Sequence, residues 1–221
     1  MTWDIVRISV PCGLQSSMYN ISNLLVQIKI NSFGTVAMAG ITAYGKLDAF
    51  IYMPMAALSL AISTFVGQNI GAGRYDRMKK AIRVSLVISI LCVWFLCAVI
   101  LVFFEPLMHI FTDDPQAIAF GREMMGFLFP AVWLYSFVDV FSGAIRGAGQ
   151  AVPVTVISAL TICVFRIIWL EVLLHIVNDI RVVFLCYPVS WILCGSALTW
   201  YYFRRSTLRR SIQANAALEA K

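Results

Sequence analysis

The chain has 221 residues, of which 61% are hydrophobic and only 13% are charged, whereas soluble domains are about half apolar and about a quarter charged. A soluble core could not bury this much apolar surface, so the composition excludes a soluble globular domain and indicates a membrane protein. The formal net charge of +6 does not indicate nucleic-acid binding, because the basic residues cluster in short gaps between long apolar runs.

Six apolar runs follow one another along the chain, and each is long enough to cross the bilayer as a helix of about 20 residues. Backbone polar groups in lipid must be satisfied within the segment, so each run is predicted to be α-helical. The alternation of apolar and polar residues that is typical of a membrane barrel is absent from the sequence. The predicted spans are residues 8–30, 43–66, 81–104, 122–144, 153–176 and 182–203.

Most lysines and arginines lie in the gaps at 67–80 and 145–152 and in the segment after residue 203. Loops rich in these residues stay in the cytoplasm, so the three segments are predicted to be cytoplasmic. An even number of spans then places both termini on the same side. The sequence therefore predicts a multi-pass protein of the cell (plasma or inner) membrane. Residues 1–205 form one six-helix bundle and residues 206–221 a polar cytoplasmic tail.

The first span is unusually polar, with Gln15, Tyr19, Asn23 and Gln27 at every fourth position and Asn20 beside them. Spacing of four keeps side chains on one slowly rotating face of a helix. This face could line a wet cavity, or it could supply hydrogen bonds between helices. Because the polar face extends along the whole span, a cavity that binds substrate is the favoured interpretation.

The fourth span contains Asp139, which lies seven residues before Arg146 and therefore about 10 Å from the inner end of the helix. Intramembrane carboxylates usually face a cavity or a partner. Asp139 is thus a candidate to bind and release H⁺ or Na⁺, and Tyr135, one turn earlier, can supply an oxygen ligand. A structural ion pair is the alternative. Arg166, in the middle of the fifth span, is predicted to form a structural ion pair, with Asp139 as a possible partner.

Three further features concern the second and fourth spans. Pro54 and Pro130 are predicted to kink their helices, because proline lacks a backbone donor. Met53, beside Pro54, could contact flat cationic ligands in a substrate cavity, although ordinary packing explains it equally well. Asp48 is predicted to lie near the membrane interface.

The six cysteines lie within apolar runs and form no C-x-x-C pair, so no metal site or disulfide is predicted.

Four stretches carry a family resemblance, and their order and spacing extend across all six spans. They are PCGLQSSMYNISNLLVQIKINSFG at 11–34, FVGQNIGAGRYDRMKKAI at 65–82, GAIRGAGQAVP at 143–153 and YPVSW at 187–191. With these motifs, the chain from about residue 5 to residue 205 resembles the C-terminal half of a multidrug and toxic compound extrusion (MATE) transporter.

The resemblance implies that the chain is an all-α membrane protein, a six-helix bundle that forms one lobe of a two-lobe, twelve-helix transporter. Such transporters exchange small cationic or aromatic compounds for Na⁺ or H⁺, without another cofactor, in a cavity between the lobes. The second lobe would be a missing N-terminal half or a second copy. In the sodium-coupled branch, a tyrosine and an aspartate match Tyr135 and Asp139. A glutamate of that branch corresponds to Tyr19, so a full sodium site is not implied.

Two alternatives remain open at this point. A lipid-linked oligosaccharide flippase shares the wider architecture, but its cavity should be strongly cationic to hold a pyrophosphate, and only Arg166 lies deep in a span. A truncated, non-transporting membrane fragment or scaffold is the second alternative, although the polar first span and Asp139 argue against a scaffold. An enzyme is not predicted, because no nucleophile–base or metal-ligand spacing is present.

Overall fold

The computed structural model describes residues 2–205, with side chains from residue 9 onward, and this part of the chain is helical with no strand. The predicted tail at 206–221 lies outside the described residues. Within the described range, nine α-helices follow one another. They are α1 (Thr2–Asn31), α2 (Thr35–Gly71), α3 (Tyr75–Val102), α4 (Phe104–His109), α5 (Pro115–Leu128), α6 (Tyr135–Gly147), α7 (Ala151–Ser158), α8 (Phe165–Ile176) and α9 (Ile180–Arg204).

The long helices provide the membrane spans of an all-helical bundle. By length and apolar character, α2, α3, the continuous α7–α8 stretch and α9 can each cross a membrane. The bent pair of α5 and α6 is a fifth candidate. Helix α1 has 30 residues and is long enough, but its polar side chains keep it outside this apolar set. Helix α4 is a short connection on the side where α3 ends.

The fourth span is not the continuous helix predicted for residues 122–144. Helix α5 ends before Pro130, α6 begins after a short 3₁₀ turn, and the two segments are bent by 50°. Pro130 lacks the N–H that would continue the helical ladder. The Trp133 indole Nε1 donates to the carbonyl oxygen of Pro130 at 2.9 Å and so satisfies a backbone acceptor at the break. Helix α2, in contrast, continues without interruption through Pro54.

Glycines on α6 allow it to pack directly on the backbone of α2. A Cβ atom at Gly143 would overlap the backbone oxygen of Ser59, and one at Gly147 would overlap the backbone oxygen of Ser63. Small residues at such crossings let two membrane helices approach closely. The sequence GAIRG of α6 therefore fixes the position of this helix against the centre of α2.

The buried core forms two clusters along the bundle. One contains Ile51 and Trp191, and the other contains Ile62 and Ile145. Tyr135, at the start of α6, packs against both clusters. The first residue of α6 therefore lies where the two core clusters meet.

Candidate functional site

Asp139 lies on α6, one turn after Tyr135, and both side chains are half-buried. The backbone oxygen of Asp139 accepts a hydrogen bond from Ser59 Oγ of α2 at 2.8 Å. Its carboxylate, however, forms no hydrogen bond or ion pair with any side chain among residues 9–205. The structure therefore leaves the carboxylate of the fourth span available to an ion.

Arg146, about two helical turns beyond Asp139 on α6, contributes positive charge near the carboxylate without bonding to it. Its Nε donates to the backbone oxygen of Ser142 at 3.3 Å, and its Nη2 donates to Ser59 Oγ at 3.4 Å. The guanidinium is thus held by neutral groups at the α2–α6 contact. This arrangement positions the helix around Asp139 but does not neutralise its side chain.

Arg166 does not form the predicted ion pair. Its side chain, at the start of α8, is only 4% exposed. Its Nε donates to Ser190 Oγ at 3.1 Å, its Nη1 donates to Asn23 Oδ1 at 3.2 Å, and its guanidinium carbon lies 4.3 Å from the ring centre of Tyr187. Neutral acceptors and an aromatic face hold the charge, so no carboxylate among the described side chains pairs with it, and Asp139 is not its partner.

Four aromatic side chains from three helices pack one against the next, and the last of them lies against Arg166. The ring of Tyr135 lies 5.3 Å from that of Tyr52 and 5.9 Å from that of Trp191, and the ring of Trp191 lies 6.2 Å from that of Tyr187. We call these four residues the aromatic cluster. Trp191 is buried, whereas the other three are partly exposed. Edge-to-face contacts of this kind hold the rings in fixed orientations.

The polar face of α1 is divided between the interior and the surface. Gln15 is buried, Tyr19 and Gln27 are half-buried, and Asn20 and Asn23 are exposed. A four-residue step rotates a side chain by about 40° around the helix, and exposure rises from Gln15 to Asn23 and falls again at Gln27. The structure brings Asn23 to Arg166, and Tyr19 lies within electrostatic range of both Asp139 and Arg166. The structure does not bring Asn20 or Gln27 to Asp139 or Arg166.

Met53 and Asp48 are two further residues of α2 that the sequence identifies. Met53 is 64% exposed on the surface of the bundle. Asp48 is half-buried and lies 13 residues after the start of α2 at Thr35. The Tyr44 hydroxyl donates to Asp48 Oδ1 at 3.3 Å. One sequence signal could have identified this polar group of α2, namely the four-residue spacing of Tyr44, Asp48 and Tyr52.

Among the described residues, no three His, Cys, Asp or Glu side chains are grouped closely enough to hold a metal ion. The six cysteines are free thiols. The described spans thus carry two half-buried carboxylates, Asp48 on α2 and Asp139 on α6, and one buried guanidinium, Arg166 on α8.

Most relatives found by comparison with known proteins are named as multidrug proteins, and one, of Shewanella oneidensis, is named as an FAD transporter and is 22% identical over 213 residues, covering 96% of this chain and 46% of that protein. The chain is 24% identical over 213 residues to the probable multidrug resistance protein YoeA of Bacillus subtilis, covering 95% of this chain and 46% of that protein. It is 28% identical over 165 residues to the probable multidrug resistance protein YpnP of the same organism, covering 73% and 36%. The chain thus spans about half the length, or less, of the curated relatives it matches.

The fold is also that of solved MATE structures. A crystal structure of a MATE protein in complex with MaD3S has a TM-score of 0.81 to this chain at 19% sequence identity, covering 93% of this chain and 46% of the other. The MatE family model matches residues 11–170. Since that match covers most of the chain, the protein belongs to the MATE family of membrane transporters.

Proposed function

We propose that this chain is the C-terminal lobe of a secondary active transporter that exports small cationic or aromatic compounds in exchange for Na⁺ or H⁺. Family membership supports transport, and relatives named as multidrug resistance proteins support efflux. The half-length matches support a lobe rather than a whole transporter. A flippase is disfavoured, because Arg166 is the one deep cation of the described spans and neutral partners already hold it.

The observation that carries the proposal is the unpaired carboxylate of Asp139. An ionised side chain within the hydrocarbon costs about 2.5–3.5 kcal/mol on insertion scales, so a carboxylate without a counterion there favours a bound cation or proton. The Tyr135 hydroxyl, one turn away, is a second oxygen for that ion. The coupling ion therefore occupies Asp139 in one state of the cycle and leaves it in another.

The geometry around Asp139 also provides a means to couple the ion to motion. Ser59 fixes the backbone of Asp139 to α2, while the break at Pro130 separates α6 from α5. Broken helices are common where secondary transporters bind and rock. In this proposal, neutralisation of Asp139 changes the packing of α6 against α2, and the break allows α6 to tilt without moving α5.

The exposed polar residues of α1 support a second lobe. Asn20 and Asn23 lie on the bundle surface within a predicted span, where contact with lipid would be unfavourable. Met53 is exposed as well. We propose that these residues, with Gln15, Tyr19 and Gln27 deeper on the same helix, belong to the wall of a cavity. The missing N-terminal half or a second copy of the chain would form the opposite wall.

Asp139→Asn tests the coupling role, since asparagine keeps the size of the side chain but cannot ionise. The complete transporter that contains this lobe is reconstituted in proteoliposomes, and ethidium transport is measured with and without an imposed gradient of H⁺ or Na⁺. The gradient should accelerate transport by the unsubstituted protein and by Asp113→Asn, whose side chain is 93% exposed. It should no longer accelerate transport by Asp139→Asn. Unchanged acceleration would remove Asp139 from the mechanism.

A further inference from the structure

The beginning of α3 carries a dense group of positive charges. Five basic residues lie within ten positions, and the one acidic residue among them is Asp76. All five basic side chains are exposed, and none forms an ion pair with a residue that the structure describes. This end of α3 therefore presents a net positive charge without a counterion from the described part of the chain. The five residues are Arg74, Arg77, Lys79, Lys80 and Arg83.

A hydrogen-bonded turn fixes the position of these side chains. Gly73 has a φ of 68°, which glycine adopts without a steric cost. The backbone N–H of Arg74 donates to the carbonyl oxygen of Asn69 at 2.9 Å, and that of Gly73 donates to the carbonyl oxygen of Ile70 at 3.1 Å. Met78, in the first turn of α3, is fully buried. The cations therefore project from an anchored turn and helix rather than from a loose tail.

An apolar row continues from two of these cations along the exposed face of α3. Positions 77, 80, 84, 87, 91 and 94 follow one another at steps of three and four, which places them on one face of a helix. All six side chains are exposed, whereas Met78, Ile82 and Val93 are buried on the other side of α3. We call these six residues the exposed row of α3, namely Arg77, Lys80, Val84, Val87, Leu91 and Trp94.

The exposed row has the dimensions of a phospholipid in one leaflet of the bilayer. Ten residues separate Val84 from Trp94, which corresponds to about 15 Å along the helix. The hydrocarbon of a bilayer is about 30 Å thick, so the apolar part of the row covers about one leaflet. Arg77 and Lys80 then lie at the level of the headgroups, where clustered lysines and arginines attract anionic lipids.

A lipid fits the exposed row better than another helix does. Helix contacts in membranes are enriched in small residues, whereas the apolar part of this row consists of valine, leucine and tryptophan. A second copy of the chain would have the same orientation in the membrane. If it docked through this row, Arg77 and Lys80 of both copies would meet at the same depth, where like charges are unfavourable.

The proposed lobe interface involves other helices than α3. Helix α3 packs mainly against α2 and α6, whereas α1, whose exposed polar residues are proposed to face the second lobe, packs mainly against the α7–α8 stretch. A second lobe that covers the polar residues of α1 therefore leaves the exposed row of α3 accessible to lipid.

We propose that the exposed row of α3 binds an anionic phospholipid, with the headgroup at Arg77 and Lys80 and an acyl chain along the apolar residues as far as Trp94. A zwitterionic headgroup carries its own cation, which the cluster of basic residues repels, so the row selects phosphatidylglycerol over phosphatidylcholine. Asp139 and the aromatic cluster are not part of this surface, so lipid binding does not depend on which compound the transporter exports.

Trp94 provides a local measurement of binding, because bromine atoms on an acyl chain quench indole fluorescence only at short range. The purified chain is reconstituted in vesicles that contain either brominated phosphatidylglycerol or brominated phosphatidylcholine in increasing proportion. The same titrations on Trp94→Phe are subtracted, which isolates the quenching of Trp94 from that of the other tryptophans. Half-maximal quenching should require an about tenfold lower fraction of phosphatidylglycerol, as expected for two cations that attract its headgroup.

Two double variants separate the row from the overall charge of this helix end. Arg77→Gln with Lys80→Gln should remove the preference for phosphatidylglycerol at Trp94. The matched control, Arg74→Gln with Lys79→Gln, removes the same charge from the same end of α3 but outside the exposed row, and it should retain more than half of the preference. All four side chains are exposed, so neither variant should change the thermal unfolding of the chain.

Equal quenching of Trp94 by the two lipids in the unsubstituted chain would overturn the proposal. Equal losses in the two double variants would overturn it as well, because they would show a diffuse attraction that depends only on net charge. Quenching of Trp94 by neither lipid would also overturn it, since protein rather than lipid would then cover the row.

Discussion

Arg166 is a charged side chain that neutral partners hold inside the bundle. Replacing it by alanine removes hydrogen bonds to Asn23 and Ser190 and the stacking on Tyr187. Hydrogen bonds to charged groups contribute about 1.5–3 kcal/mol each, so Arg166→Ala should lower the free energy of unfolding by about 3 kcal/mol. Denaturant unfolding in detergent measures this change. Arg83→Ala, on the exposed face of α3, is the control, and equal stability of the two variants would contradict the account.

Tyr135 has two roles that can be separated by substitution. Tyr135→Phe removes the hydroxyl but keeps the ring contacts with Tyr52 and Trp191, so stability should not change. If the hydroxyl is a ligand of the coupling ion, the ion concentration for half-maximal transport should rise by about fivefold, as expected for a lost contact of about 1 kcal/mol. An unchanged half-maximal concentration would exclude the hydroxyl from the ion site.

Single residues show how far the site can be predicted from sequence. Asp139 and Tyr135 are recognisable because a carboxylate within an apolar run is unusual, and the structure places both on one face of α6. The partners of Arg166 could not be predicted, because Asn23 is 143 positions away in sequence and on another helix. The hydrogen bond from Tyr44 to Asp48 was not predicted, although the four-residue spacing of the two residues on α2 is a signal for it.

At the level of helices, the contact of α2 with α6 depends on glycine. Gly147→Ala should destabilise the bundle by about 1–3 kcal/mol, because the added methyl group overlaps the backbone of Ser63 and cannot be accommodated by a side-chain rotation. Gly126→Ala on α5 is the matched control, since its new methyl group would meet nothing within 4 Å. Thermal unfolding in detergent distinguishes the two variants, and equal melting temperatures would argue against close packing.

Hydrophobicity alone predicts helices in the apolar runs, but it does not predict where these helices are interrupted. The sequence identifies Pro54 and Pro130 equally as sites of a kink, yet α2 continues through Pro54 while α5 ends before Pro130. At Pro130 the break is accompanied by a local hydrogen bond from the Trp133 indole to the Pro130 carbonyl, three residues earlier. The π-helical segment at Ala159–Val164, which leads to Arg166, has no sequence signal either.

For the molecule as a whole, we propose that the chain is one wall of a transport cavity. Its family and fold are those of MATE transporters, and it spans about half of the relatives it matches. The sequence predicts the single lobe from its motifs. It cannot identify the second wall, because an exposed polar face such as that of Asn20 and Asn23 fits an N-terminal lobe and a second copy equally well.

The most direct test is the accumulation of ethidium in cells that lack other efflux pumps. Cells that express this chain alone should accumulate as much ethidium as cells without it, because one lobe cannot enclose and alternately open a cavity. Cells that express the chain joined to a second six-helix lobe should accumulate less, and an ionophore that collapses the ion gradient should abolish the difference. Energised efflux of ethidium by this chain alone would contradict the account.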